Sequence, residues 1–249
     1  MKNIYFLSDF HLGVPNYENS RERERYLCDF LNEIKDQADE IFLAGDIFDM
    51  WYEYKTVVPK GYVRLLGTLA SLSDSGVKIT AFTGNHDMWM FGYLKQELNI
   101  EVHREPIERT WNGVDFLIGH GDGLGPGDYG YKFIKKIFAN KVCQWLFGWI
   151  HPDWGLRLAN ALSRRSRIAT GTTDATWLGD DKEHLYIYCQ EYLQQHPINY
   201  FIFGHRHLPL TKAINPQSTY INLGDWVKYF TYAVFDGAAC ELKTYQPKQ

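Results

Sequence analysis

The chain has 249 residues, 45% hydrophobic and 22% charged, so it can bury a sizeable core as one domain or as one domain carrying an insertion. That composition is globular, not disordered or collagenous, and a net charge of -4 gives no general pull toward nucleic acid. The four cysteines, Cys28, Cys143, Cys189 and Cys240, form no C-x-x-C pair; they point to neither a zinc ribbon nor a disulfide framework and fit a reducing cytosol.

Taken in chain order, the N-terminal MKNIYFLSDFHLG meets Asp9 and His11 too soon for the apolar stretch of a signal peptide. Ile4 to Leu7 reads as a buried strand, and Tyr26, Leu27, Phe30, Leu31 and Ile34 recur at helical spacing. A second strand is predicted at Ile41 to Ala44, a second amphipathic helix around Val63 to Leu72, and a third strand at Val77 to Phe82, which makes a βαβαβ unit. Asn112-Gly113 between Ile107–Trp111 and Val114–Ile118 predicts a hairpin closed by a type I′ turn. Further short strands are predicted at Tyr200–Phe203, Thr219–Leu223, Tyr229–Phe235 and Cys240–Tyr245.

Residues 125–181 differ in character. They are predicted helical, rich in aromatics and bases, and from Tyr131 to Arg167 eight Lys and Arg face one acid, a local +7 that leaves -11 for the remainder. The asymmetry predicts a helical insertion with its own partner, set into a core made of 1–124 and 182–249. No apolar run reaches the ~18 uncharged residues of a membrane span, so the chain is expected to be cytoplasmic.

Polar groups gather where the apolar runs stop. The first strand ends at Asp9 and His11, the second at GDIFD with Asp46 and Asp49, and the third at Asn85, His86 and Asp87. The hairpin ends at GHGD with His120 and Asp122, and the strand at Tyr200 runs into GHRH with His205 and His207. In open α/β sheets such strand ends share one edge, where ligands bind. A bridging carboxylate with neutral imidazoles can hold two divalent ions about 3.5–4 Å apart that activate water for phosphoryl displacement. Mixed His, Asp and Asn donors lean to Mn, Fe or Zn over Mg or Ca.

Asp9-x-His11, Gly45-Asp46-x-x-Asp49, Gly84-Asn85-His86-Asp87, Gly119-His120-Gly121-Asp122 and Gly204-His205-Arg206-His207 resemble, in order, the calcineurin-like metallophosphoesterases. The resemblance implies a four-layer α/β/β/α sandwich of two mixed sheets, here with a helical lid insertion. It implies that Asp9, His11, Asp46 and His207 hold one metal ion and that Asp46, Asn85, His120 and His205 hold the other. His86 would polarise a phosphate oxygen or protonate the leaving group, with Asp87 orienting it.

The insertion supplies a substrate hint. Phe133, Ile134, Ile137, Phe138, Trp145 and Trp149 alternate with lysines, a pattern that fits an acyl chain or an anionic bilayer surface. GHGDGLGPGDYGYKFIKKIF, Trp51, the helical insertion and Leu223–Trp226 resemble the UDP-2,3-diacylglucosamine diphosphatases of the lipid A pathway. That family implies manganese, a UDP-linked acylated glucosamine as substrate, and peripheral attachment to the cytoplasmic face of the inner membrane. No nucleic acid and no obligate protein partner is expected.

By motif, Trp51, Asp128 and Tyr131 fall at substrate-contact positions. The best-known branch carries arginine where His86 stands, so the phosphate contact takes the general superfamily form here. Ser163, Arg164 and Arg167 are candidates to grip the pyrophosphate. Two alternatives stay open: a soluble metallophosphoesterase acting on nucleotides or phosphoproteins, and a non-catalytic binding module.

Overall fold

The computed structural model describes residues 2–170 and 176–247, with the side chains of 164–170 outside the described set. The first half is the expected alternation: β1 (Asn3–Leu7), α1 (Tyr17–Ile34), β2 (Ala38–Leu43), α2 (Val63–Asp74) and β3 (Lys78–Phe82). A short helix α3 (Tyr93–Leu98) and a three-residue strand β4 (Glu101–His103) extend it, followed by the hairpin β5 (Ile107–Trp111) and β6 (Val114–Ile118). Asn112 and Gly113 both take positive φ, 53° and 78°, as a type I′ turn requires.

Three helices then leave the sheets: α4 (Tyr129–Ala139), α5 (Lys141–Gly148) and α6 (Pro152–Thr170). The chain returns through α7 (His184–Leu193) to β7 (Tyr200–Phe203), β8 (Leu210–Asn215), β9 (Ser218–Asn222), β10 (Thr231–Phe235) and β11 (Cys240–Thr244). Sequence reading missed β8 and α7. β8 lies at a sheet edge with alternate residues exposed, and α7 is short, rich in tyrosine and weakly amphipathic.

The first sheet has the order β11-β10-β1-β2-β3-β4 and the second β5-β6-β7-β9-β8. β1 through β4 run parallel, as do β6, β7 and β9, while β10, β11, β5 and β8 pair antiparallel. Both sheets are mixed, and the layers follow from the period-2 alternation of side chains. Ile4, Phe6, Phe42, Phe116, Ile118, Ile202 and Ile221 point between the sheets. Tyr5, Leu7, Ile41 and Leu43 point outward beneath α1 and α2, and Leu117, Phe201 and Tyr220 beneath α7. The result is the four-layer α/β/β/α sandwich expected of the sequence. It brings the carboxyl ends of five parallel-sheet strands to one rim.

Candidate metal centre and its lid

Each loop at that rim leaves its strand abruptly. Asp9 and His11 after β1, Asp46 after β2, and His205 and His207 after β7 all hold left-handed backbone, with φ between 42° and 69°. Such a conformation strains any residue with a Cβ, and a run of such residues marks a place where side-chain chemistry overrides backbone preference. The glycines between them serve close approach. A Cβ on Gly84 would overlap the Asp46 carboxylate, and one on Gly204 would overlap the carboxylate of Asp9.

The side chains converge in two groups that share one oxygen. Asp46 Oδ2 lies 3.6 Å from His11 Nε2 and 3.5 Å from His120 Nε2. On one side, Asp9 Oδ1 stands 3.6 Å from His11 Nε2 and 3.2 Å from His207 Nε2, and the two imidazole nitrogens face each other at 3.0 Å. On the other, Asn85 Oδ1 meets His120 Nε2 at 3.2 Å and His205 Nδ1 at 2.9 Å. The remaining Asp46 oxygen, Oδ1, accepts the His86 backbone N–H at 2.9 Å, which locks the carboxylate's orientation.

These residues fit a pair of divalent cations. Asp9 Oδ1 is buried and takes no hydrogen bond, while Asp9 Oδ2 is occupied by Ser8 Oγ and the His205 N–H. The ligand atoms of Asp9, His11, Asp46 and His207 all lie within 4.8 Å of one another. Hard oxygens and imidazole nitrogens crowded without donors between them suit a metal ion of intermediate softness.

Electrostatics agree. Burial works against a charge on His11, yet Asp49, Asp9 and Asp46 raise its pKa to about 10. His120 is likewise raised to about 10 against burial, by Asp46, Asp9 and Asp122. His205 goes the other way: burial and the charge on His120 lower it to about 4. Asp46 and Asp9 stay ionised although burial opposes it, because histidines surround them. The carboxylates therefore demand positive charge from protons or from metal ions.

Around the ligands a further shell holds the rings in place. His120 Nδ1 contacts the Ala44 carbonyl at 2.8 Å, and His207 Nδ1 lies 3.8 Å from Asp225 Oδ2. Sequence reading assigned Asp225 no such part, although it follows the parallel strand β9 as the other site residues follow theirs. His86 stands at the edge of the cluster, its Nδ1 3.2 Å from the Asp49 carbonyl, 3.6 Å from Asp49 Oδ1 and 3.1 Å from Ser163 Oγ. Ser163, from α6, also donates to Asp49 Oδ2 at 3.3 Å, so the lid reaches into the centre.

Three expectations need correction or limits. Asp87 does not orient His86. Its carboxylate, raised to about 7 by burial and the charge of Asp46, accepts the N–H groups of Ile47, Phe48 and Gly84 and so ties two ligand loops together. Asp49 and Ser163 hold the His86 ring instead. Trp51 is fully buried, stacked on Phe48 with ring centroids 4.3 Å apart, and presents no face to a ligand. Asp128 is exposed at the start of α4 and caps the helix by accepting the Tyr131 N–H at 3.4 Å. The side chains of Arg164 and Arg167 lie outside the described residues.

The α4–α5 pair is pinned at two places. At its root, Tyr131 O–H donates to Asp122 Oδ2 at 2.5 Å, and Lys135 Nζ lies 2.8 Å from the same oxygen. Farther out, Tyr52 O–H donates to the Gln144 carbonyl at 2.6 Å, and Trp89 N–H donates to the Phe138 carbonyl at 2.9 Å. Phe147 packs on the rings of Tyr52 and Trp89 with centroids 4.8 and 4.7 Å away. Beyond these pins neither α4 nor α5 buries a residue. Phe133, Trp145, Trp149 and Trp154 are each more than 60% exposed, an apolar face far larger than scattered surface residues would make.

Residues 2–209 match the family described as calcineurin-like phosphoesterase. A UDP-2,3-diacylglucosamine hydrolase from Porphyromonas gingivalis is 36% identical over 253 residues, covering 97% of both chains. One from Histophilus somni is 26% identical, covering 91% of this chain and 93% of its own. Among solved structures, the phosphoesterase Yfce from E. coli aligns with a TM-score of 0.48 at 13% identity, covering 97% of this chain and 92% of that one.

Proposed function

The chain belongs to the calcineurin-like phosphoesterases, and from that premise we propose that it hydrolyses the pyrophosphate of UDP-2,3-diacylglucosamine to UMP and 2,3-diacylglucosamine 1-phosphate. The observation that carries the reading is a conjunction. A phosphoesterase centre lies directly under a lid whose apolar face stands open, in a chain similar end to end to hydrolases named for that nucleotide-lipid.

A divalent metal pair supplies an activated water and positive charge for the departing phosphate. Asp46, whose Oδ2 lies near both His11 and His120, would serve both ions, and Asn85, held between His120 and His205, would add a neutral oxygen that leaves the net charge of the site low. His86, steadied at Nδ1 by Asp49 and Ser163, is placed to hydrogen-bond a phosphoryl oxygen or to give a proton to the leaving group. Manganese suits this mixture of imidazole, carboxylate and amide donors.

The lid's exposed aromatics, interleaved with Lys132, Lys135, Lys136 and Lys141, support contact with acyl chains and with an anionic membrane surface on the cytoplasmic side. Among the described residues no helix is long and apolar enough to cross a membrane.

The test is direct. Metal-stripped protein is expected to be inactive on UDP-2,3-diacylglucosamine and to release UMP once Mn2+ is restored. The deacylated nucleotide sugar is expected to react far more slowly than the acylated one. Turnover without any divalent metal would overturn the mechanism, and equal rates on the two substrates would point to a soluble phosphoesterase whose lid serves only packing.

A further inference from the structure

Residues 21–26 read RERERY, an alternation of charges that looks like a solvated helix face. On α1 only part of it is one: Glu22 and Arg25 are exposed, whereas Arg23 and Glu24 are 5% and 4% exposed. Glu24 serves α2, whose N-cap residue Tyr62 makes no side-chain bond; the Glu24 carboxylate accepts the Arg64 and Leu65 N–H groups at 3.0 and 3.1 Å. Arg23 serves the loop between β1 and α1, which carries the candidate ligand His11. Its Nη2 donates to the His11 carbonyl at 2.8 Å and to the Val14 carbonyl. Three residues earlier on the same helix face, Ser20 Oγ accepts the Gly13 N–H at 2.7 Å, so two side chains of α1 grip this loop.

The grip falls where the backbone is strained. His11 holds a left-handed φ of 42°, which a residue with a Cβ keeps only under constraint from its surroundings. Its N–H donates to the Asp46 carbonyl at 3.0 Å, and the Leu12 N–H donates to the Ile47 carbonyl at 3.0 Å. With Arg23 on the His11 carbonyl, the peptide group joining His11 to Leu12 is therefore held at both of its polar atoms. Relaxation of His11 out of the left-handed region would carry its imidazole off the place where Nε2 lies 3.6 Å from both Asp9 Oδ1 and Asp46 Oδ2. An apolar side chain would fill the space of Arg23 at a smaller desolvation cost, but it could not hold a carbonyl.

The effect is confined to one half of the centre. His11 belongs with Asp9, Asp46 and His207, while Asn85, His120 and His205 ride on other loops and the His120 ring rests on the Ala44 carbonyl. Resting on the metal-pair reading, and on no particular substrate, we propose that Arg23 is a positioning residue for one ion of the pair. It holds the strained loop so that His11 Nε2 faces Asp9, Asp46 and His207, and the second group of ligands does not depend on it.

Calorimetric titration of the stripped full chain with Mn2+ tests this, with His207→Ala and His205→Ala showing which binding event belongs to which group. Arg23→Met is expected to weaken the event that His207→Ala removes by about 10- to 100-fold, the usual cost of losing a support behind a ligand, and to leave the other within about twofold. Arg23→Lys keeps the charge and donors without the planar fork, and is expected to lose severalfold at the same event only. With metal supplied at pair stoichiometry, electron paramagnetic resonance should show a coupled Mn pair in the parent and isolated ions in Arg23→Met until Mn2+ is raised by the same factor. A merely weakened fold would lower both affinities together. Equal weakening of the two events, or an unchanged first event in every variant that folds, would overturn the proposal; the lysine variant decides alone if the methionine variant does not fold. A parent that takes up no metal would overturn the metal-pair reading as well, whereas two ions bound without regard to Arg23 would overturn this proposal alone.

Discussion

The metal centre and the lid are opposite kinds of structure a few ångströms apart. In the centre, Asp9, His11, Asp46 and His120 are almost wholly buried, their side chains crowd within a few ångströms of one another, and glycines let the loops nearly touch. In α4 and α5 no residue is buried, and contacts at Asp122, Tyr52 and Trp89 hold the helices to the core. Atomic placement is needed where charge develops in a transition state; a greasy chain needs area and latitude instead. Substitutions should therefore act through chemistry in the first region and through substrate capture in the second.

The largest effect is expected from Asp46→Ala, which takes away the oxygen common to both groups. kcat should fall by about a thousandfold or more, some 4 kcal/mol of barrier, with loss of bound metal detectable by elemental analysis. A variant that keeps both ions and its turnover would break the contrast at once. Next comes pH. His11 and His120 titrate near 10 among their carboxylates and must be neutral to bind metal, so metal uptake by stripped protein at pH 7 should release protons. Affinity should then climb with pH, up to about a hundredfold per unit if both protons are displaced. Calorimetry in buffers of differing ionisation enthalpy counts the protons, and none released would contradict the geometry.

Smaller effects should follow from the supports. Ser163→Ala and Asp49→Asn are each expected to lower kcat about 10- to 100-fold by freeing the His86 ring, with the pH–rate profile shifting as well. An unchanged profile would mean that the ring is held by something else. The smallest change in the protein itself should come from Trp145→Ser combined with Trp149→Ser. Both side chains are more than 60% exposed, so stability should move by no more than about 0.5 kcal/mol. KM for the acylated substrate and binding to anionic vesicles should nevertheless worsen severalfold, with the deacylated substrate unaffected. A large loss of melting temperature would make the lid part of the core.

The cluster was readable before any coordinates because its members follow apolar runs, Asp46, Asn85, His120 and His205 each directly after a glycine, and parallel strands send their ends to one edge. That rule, applied to β9, would also have found Asp225. Asp87 and Trp51 misled for the same reason: adjacency in a motif says nothing about which way a side chain turns. Asp87 turns back to the loop amides, and Trp51 into the hydrophobic core. The contact of Ser163 with His86 spans 77 positions and depends on how α6 crosses the centre, which no local pattern encodes. β8 and α7 were lost to edge exposure and weak periodicity.

Five of the seven candidate ligating residues hold left-handed backbone. Each such residue costs about 1–2 kcal/mol that a glycine would not, so the native sequence keeps its fold under tension at the very loops that do chemistry. A His207→Gly chain, unable to turn over, should resist heat at least as well as its parent. Heat resistance in this protein is therefore a poor guide to fitness, and selection for sturdier variants alone would steadily erode the centre.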